Sequence, residues 1–317
     1  MPLLAIDLGG TKLALAVFSQ EGDLLSEEKI NLDKRKSAGV AQLIATSVTT
    51  ILDKQRNKGE EIKAIGVSVP GIYHQKEGTV WAPNIEGWKN YPLLKEIKSI
   101  ARNIPVTIDS DRTCSILGEW WKGAAQNCSD AIFLAVGTGI GAGILTGGRI
   151  LRGANNIAGA IGWMALEHPF QHQYKDCGCF ESSASGDGIA KLARKIARER
   201  KDYNGLWKTK NLDAITTLDV FEAYEKKDPV AEEVLHHCIE LWGMAVGNLI
   251  SLFNPQKIIF GGGVFGPAVK FIPDIKREAL KWAQPVSMQH VAIETSALGT
   301  RAGLYGAACM ARANLKT

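Results

Sequence analysis

Leu3-Leu4-Ala5-Ile6-Asp7-Leu8-Gly9-Gly10-Thr11-Lys12-Leu13-Ala14-Leu15-Ala16-Val17-Phe18 reads as strand, tight glycine turn, strand. Such a turn presents bare backbone amides, because side chains there would keep an anion away. Asp7 at the strand end can orient a hydrated magnesium ion, and Thr11 and Lys12 can donate to phosphoryl oxygens. The stretch is not a Walker loop, which needs glycine-lysine-serine/threonine opening a helix, and it lacks the spaced glycines of a dinucleotide site. Taken alone, an ordinary hairpin turn would read the same way.

The pattern recurs downstream. Phe133-Leu134-Ala135-Val136 runs into Gly137-Thr138-Gly139-Ile140-Gly141, again strand, turn, strand. Lys257-Ile258-Ile259-Phe260 delivers Gly261-Gly262-Gly263 to a helix start. One hairpin per lobe gripping phosphates, with a glycine platform for the nucleoside, predicts a two-lobed ATP cleft.

The chain of 317 residues suits two domains with full cores, and 45% hydrophobic with 22% charged residues is ordinary globular usage. A net charge of +4, spread along the sequence, does not point to nucleic acid. No apolar stretch reaches membrane-span length, and a strand rather than a leader opens the sequence, so a cytoplasmic protein is expected. Cys114, Cys128, Cys238 and Cys309 are scattered, as suits reduced buried thiols; only Cys177 and Cys179 are close enough for joint chemistry.

Strands are expected at 24–30, 62–69 and 106–111, and helices at 38–54 and 114–122. Ala82-Pro83-Asn84-Ile85-Glu86-Gly87-Trp88 is too rich in turn formers to read as core and is a candidate substrate loop. Farther on, helices are expected at 188–200 and over 220–253, Asp228-Pro229 opening the longer one. The small-residue run 297–308 reads as a helix returning to the first lobe. The expected division is a small α/β lobe, residues 1–110 with a C-terminal helix at about 298–317, and a large α/β lobe, 111–297. No internal repeat is visible.

Phosphoryl transfer to a hydroxyl needs a carboxylate that orients the hydroxyl and takes its proton. Asp111, where strand meets helix, is the candidate base; the alternative is a helix cap.

Asp7 to Lys12, Pro70-Gly71, Asn84 with Gly87-Trp88, Asp111 with Glu119, and Gly137 to Gly143 follow one another in the order and spacing of a known family. So do Arg152-Gly153-Ala154-Asn155-Asn156, Gly178-Cys179-Phe180-Glu181, and Asn254-Pro255 leading into Gly261-Gly262-Gly263. Over essentially its whole length the chain resembles the ROK family of sugar kinases and repressors. The resemblance implies a two-lobed α/β fold of the actin-like ATPase (ribonuclease H-like) type, with ATP and magnesium as cofactors. Asp7 would hold the metal, Gly9, Gly10, Thr11, Lys12, Gly137, Thr138, Gly139, Gly261, Gly262 and Gly263 the nucleotide. It further implies phosphorylation of a sugar hydroxyl with Asp111 as base, and a homodimer.

The departures concern the sugar site. The family's Asn-Asp is here Ser110-Asp111, and its Glu-Ile-Gly-His is Ala160-Ile161-Gly162-Trp163. Losing polar partners changes which acceptor is preferred, because a site built to hydrogen-bond a hydroxyl rejects analogues lacking it. Asn84, Ser110, Asp111, Trp163 and Glu181 remain as candidate substrate ligands, Trp163, Trp88 or Trp81 offering a ring an apolar face. Core packing, the other role for a tryptophan, is expected more of Trp120 and Trp121 than of Trp88. The family histidine now replaced by Trp163 is normally a zinc ligand, completed by a knuckle with three cysteines. The knuckle is shortened here to Cys177-Gly178-Cys179, which breaks that site. A rebuilt zinc site from His168, His172, Cys177 and Cys179 is one reading; free thiols and surface imidazoles are the other.

Two classes follow: an ATP-dependent kinase of a sugar or sugar-like polyol, or a non-catalytic sugar or nucleotide sensor. The family's repressors carry a DNA-binding helix-turn-helix ahead of the first hairpin, whereas only Met1 to Ile6 precede Asp7 here, so nucleic-acid binding is not expected.

Overall fold

In the computed structural model, which describes residues 1–315, the chain forms two compact units. The first holds residues 1–127, 150–158 and the chain from Ala297 on; the second holds 128–149 and 159–296. The chain begins with β1 (Leu3–Leu8), β2 (Lys12–Phe18), β3 (Leu24–Asn31), α1 (Ala38–Asn57), β4 (Ala64–Val69), β5 (Ile72–His74), β6 (Thr79–Trp81), α2 (Leu93–Ala101), β7 (Val106–Ser110) and α3 (Asp111–Lys122). It continues with β8 (Ala131–Val136), β9 (Ile140–Thr146), β10 (Arg149–Ile150), α4 (Tyr174–Cys177), α5 (Cys179–Ala184), α6 (Gly186–Glu199), α7 (Thr217–Glu225) and α8 (Pro229–Phe253). β11 (Lys257–Gly261), α9 (Ile272–Ala279), α10 (Pro285–His290), β12 (Ala292–Thr295) and α11 (Ala302–Ala313) complete it. No helix among the described residues is long and apolar enough to cross a membrane.

Each unit is built on a five-stranded sheet, in the orders β3-β2-β1-β4-β7 and β10-β9-β8-β11-β12. The plan is the same in both: an antiparallel glycine-turn hairpin, β1/β2 or β8/β9, with two parallel strands added beside its first member. This is the two-fold α/β plan of the actin-like ATPases.

The alternation of β1 sorts the first core. Leu4, Ile6 and Leu8 point to the face covered by α1 and α2, while Leu3 and Ala5 point to the face covered by α11. That second face is made of small residues so that α11 can approach closely. A Cβ on Gly66 of β4 would lie 1.8 Å from the Ala307 carbonyl oxygen, and one on Gly306 would lie 1.7 Å from that of Cys114 in α3. Because α11 grips α3 in this way, α3 belongs to the first unit. The division therefore falls after Asn127, not at 110 as the sequence suggested, and residues 316–317 of the expected C-terminal helix lie outside the described residues.

The 82–88 loop also departs from expectation. Its backbone closes on itself, Ala82 N–H donating to Trp88 at 2.8 Å and Trp88 N–H to Ile85 at 3.1 Å. Ala82, Ile85 and Trp88 are buried, so three residues of the loop are core after all. Trp88 stacks on Tyr91 with centroids 4.4 Å apart and donates its indole N–H to Ser37. Trp120, by contrast, is exposed. Turn composition had masked an apolar residue every third position.

Candidate functional site

The alternation that places Leu3 and Ala5 against α11 carries Asp7 to the same face. Its carboxylate oxygens lie 2.6–2.8 Å from where a Cβ on Gly303 would stand, so the start of α11 is glycine where it passes Asp7. Burial pushes the Asp7 carboxyl above its usual value, with Ser68 pulling the other way. The turn after it is closed by Gly9 N–H donating to Lys12 at 2.8 Å. The amides of Gly10 and Thr11 have no backbone acceptor among the described residues. Asn84 sits beside this turn, its Cβ 3.4 Å from where one on Gly10 would be.

At the end of β7, Ser110 is the N-cap of α3: its hydroxyl accepts from Thr113 N–H at 3.3 Å and donates to the Thr113 hydroxyl at 3.1 Å. Asp111 is therefore not the cap. It is the first helical residue, and its carboxylate accepts Arg112 N–H at 2.8 Å. Burial pushes Asp111 up to about 6, with Arg112 lowering it and the neighbouring Asp7 raising it. Two neighbouring carboxylates, one of them at a bare-amide turn, are hard oxygen donors of the kind magnesium takes alongside water and phosphate. Asp7 fits a magnesium ion in that role.

Asp109, one residue before the cap, accepts Arg152 through Nη2 at 2.7 Å and Nε at 3.2 Å, and its other oxygen accepts Ser110 N–H at 2.8 Å. Asn156 of the same Arg152–Asn156 run donates to Tyr73 at 3.3 Å. The run is thereby tied beside the end of β7, a pairing that sequence separation concealed. Glu119 is a second such residue. Fully buried, it accepts from the amides of Ala124, Ala297 and Leu298 and fixes the approach to α11.

In the second unit, the Gly137-Thr138-Gly139 turn has its first two carbonyls taken by the start of α6, Gly186 N–H donating to Gly137 at 2.8 Å and Asp187 N–H to Thr138 at 3.4 Å. The amides of Thr138 and Gly139 have no backbone acceptor among the described residues. The glycines divide by what surrounds them. A Cβ on Gly261 would meet Phe133 at 2.2 Å, and one on Gly262 the Val136 carbonyl oxygen at 2.4 Å, so the fold requires both. No heavy atom lies within 4 Å of where a Cβ on Gly137 or Gly263 would stand. Nothing in the described protein demands glycine there, which is the pattern expected where a ligand approaches the backbone.

Glu181 lies on α5, and its Oε2 accepts Ile140 N–H at 2.5 Å. A Cβ on Gly139 would come within 2.6 Å of that oxygen, and one on Gly162 within 3.0 Å. The carboxylate read as a sugar ligand is therefore packed against the Gly137–Gly139 turn. Trp163, after Gly162, is 57% exposed.

The zinc reading is not supported. No group of three or more His, Cys, Asp or Glu converges as a metal site among the described residues. Cys177 Sγ faces the Ser182 hydroxyl at 3.2 Å, Cys179 Sγ lies 4.0 Å from Glu167, and His168 and His172 are not gathered with them. None of the six cysteines forms a disulfide.

Comparison with known proteins follows the same line. The ROK family model matches residues 3–314. A glucokinase of Halalkalibacterium halodurans is 31% identical over 310 residues, 96% of this chain and 92% of its own. A xylose repressor of Caldicellulosiruptor bescii is 30% identical, covering 97% of this chain and 77% of its own. Among solved structures, a ROK family glucokinase from Streptomyces griseus in complex with glucose and AMPPNP superposes with a TM-score of 0.79, at 28% identity, over 99% of this chain and 100% of its own. With the glycine turns, Asp7 and Asp111 in place, and with relatives matched along nearly the whole sequence, the chain belongs to the ROK family.

Proposed function

We propose that the protein is an ATP-dependent kinase that phosphorylates a hydroxyl of a sugar or sugar-like polyol. The observation that carries this reading is Asp111: a carboxylate held to about 6 at the first turn of α3, ionised at neutral pH yet basic enough to accept a proton. Asp111 orients the acceptor hydroxyl and takes its proton as the hydroxyl oxygen bonds to the γ-phosphorus of ATP and the bond to the ADP oxygen breaks. The bare amides at Gly10, Thr11, Thr138 and Gly139 hold phosphoryl oxygens, and Gly263 lets the nucleotide approach. Magnesium held at Asp7, when bound, neutralises phosphate charge that would otherwise repel the nucleophile. Asn84 and Trp163 contact the acceptor. The glucokinase relatives favour a hexose, and we take the active form to be a homodimer.

Ser110 distinguishes this chain from the Asn-Asp pattern, since its hydroxyl is occupied by Thr113. With Ala160 and Trp163, that leaves fewer polar groups for the acceptor and favours an altered acceptor range. The same observation favours a sensor as the second reading, in keeping with the xylose repressor relative. A coupled ADP-release assay across hexoses, N-acetylhexosamines, ketoses, anhydro sugars and cyclitols decides between them. Acceptor-dependent turnover is expected; nucleotide binding with no turnover on any acceptor favours the sensor.

A further inference from the structure

Helix α5 carries Glu181 to the Gly137–Gly139 turn, yet little in its own sequence fixes it. It is 6 residues long, follows Gly178 with φ of 90°, and has no side-chain N-cap. Helices this short are not stable alone and take their position from tertiary contacts.

The contacts converge on Glu167. Its Oε2 accepts the Ser183 hydroxyl of α5 and, at 3.3 Å, the Tyr174 hydroxyl of α4; Cys179 Sγ lies 4.0 Å from the same oxygen. Its Oε1 faces His237 Nε2 on α8 at 3.1 Å. One carboxylate, with 21% of its side chain exposed, thus joins three helices. Charge supports the junction: His237 is the first cause holding Glu167 below its usual value, and Glu167 the first cause raising His237.

We propose that Glu167 is a positioning residue that clamps α5 between α4 and α8, keeping Glu181 beneath the Ile140 amide and the phosphate-binding turn in shape. The consequence for nucleotide binding rests on the kinase reading; the clamp itself does not. Two further bonds tie α5 to α8, Trp242 indole N–H to the Ala184 carbonyl at 3.1 Å and Cys238 Sγ to that of Ser183 at 3.7 Å. These hold the end of the helix, so losing the clamp shifts α5 without unfolding it.

The test is hydrogen exchange on Glu167→Ala and Ser183→Ala, the latter removing only the hydroxyl link from α5 to Glu167, with Glu167→Gln as the conservative variant. Exchange over residues 137–143 is expected to speed up about 10-fold in both alanine variants and to recover in part in Glu167→Gln. AMPPNP affinity should weaken about 10-fold while kcat at saturating nucleotide stays near wild type. Exchange over 137–143 at the wild-type rate overturns the clamp, whether or not residues 164–184 loosen. If the wild type binds no AMPPNP, the kinase reading fails and the exchange data still decide the clamp. Should Glu167→Ala not fold, Ser183→Ala decides the same question.

Discussion

The carboxylate of Glu181 accepts a hydrogen bond from the backbone N–H of Ile140 at 2.5 Å, although the first lies on α5 and the second opens β9. Removing one partner of a half-buried hydrogen bond costs about 1–3 kcal/mol, which is about 5–150-fold in an equilibrium. Glu181→Ala is therefore expected to weaken AMPPNP binding by about that factor, while Glu181→Gln, which keeps an acceptor oxygen, weakens it less. Calorimetry on both variants checks this. Unchanged AMPPNP affinity with a raised sugar KM in both would return Glu181 to the acceptor alone.

Asp111 gives a pH dependence. On the kinase reading, with its carboxyl at about 6, Asp111 loses its capacity to accept a proton below that value, and kcat/KM should fall tenfold per pH unit on the acid side. The same shift has a stability consequence of opposite sign. A folded-state value above the unfolded one means that ionisation opposes folding, so Asp111→Asn should melt at a higher temperature than wild type at pH 8 and show no gain at pH 3.5. Melting curves at the two pH values test it.

The two kinds of glycine separate ligand from fold. Gly137→Ala adds a methyl group where no heavy atom lies within 4 Å, so the melting temperature should hold while AMPPNP binding weakens about 10-fold or more. Gly262→Ala forces a side chain to φ of 88° and against the Val136 carbonyl oxygen, at 2.4 Å. Left-handed backbone alone costs about 1–2 kcal/mol, so this variant should melt well below wild type before any ligand is added. Thermal melts beside nucleotide titrations separate the two cases.

The Glu167–His237 pair sets a stability window. Glu167 is held below its usual 4.5, so its contribution is present above that value and fades as pH falls through the lowered one. His237 is raised above 6.5, with Glu240 and Glu233 of α8 adding to Glu167, so its contribution is full below 6.5 and fades as pH rises through the raised value. The pair therefore stabilises most between pH 4.5 and 6.5. The stability difference between wild type and His237→Ala should shrink from pH 6 to pH 9, as denaturant titrations would show.

Much of the candidate site was legible because glycine turns at strand ends need few residues to be recognised. Asp7, Gly9 to Lys12 and Gly137 to Gly139 lie on local pattern alone, and Asp111 follows from one strand running into one helix. What escaped was made by distant residues. Arg152 meets Asp109, and His237 meets Glu167, across separations that no spacing rule spans. The shared strand order of the two sheets left no repeat in the sequence, because a sheet fixes polarity and burial at each position rather than residue identity. Ser110 shows the limit most clearly: a serine before an aspartate can be ligand or cap, and only the Thr113 contacts decide for the cap.

The central claim is that Asp111 is the base of a sugar kinase. Its most direct test is phosphorylated product formation by wild type and Asp111→Asn with the best acceptor of the panel, beside AMPPNP titrations of both. Loss of turnover by about 10²–10⁴-fold, with AMPPNP affinity within twofold of wild type, is the predicted result. Turnover of Asp111→Asn near the wild-type rate would contradict the account.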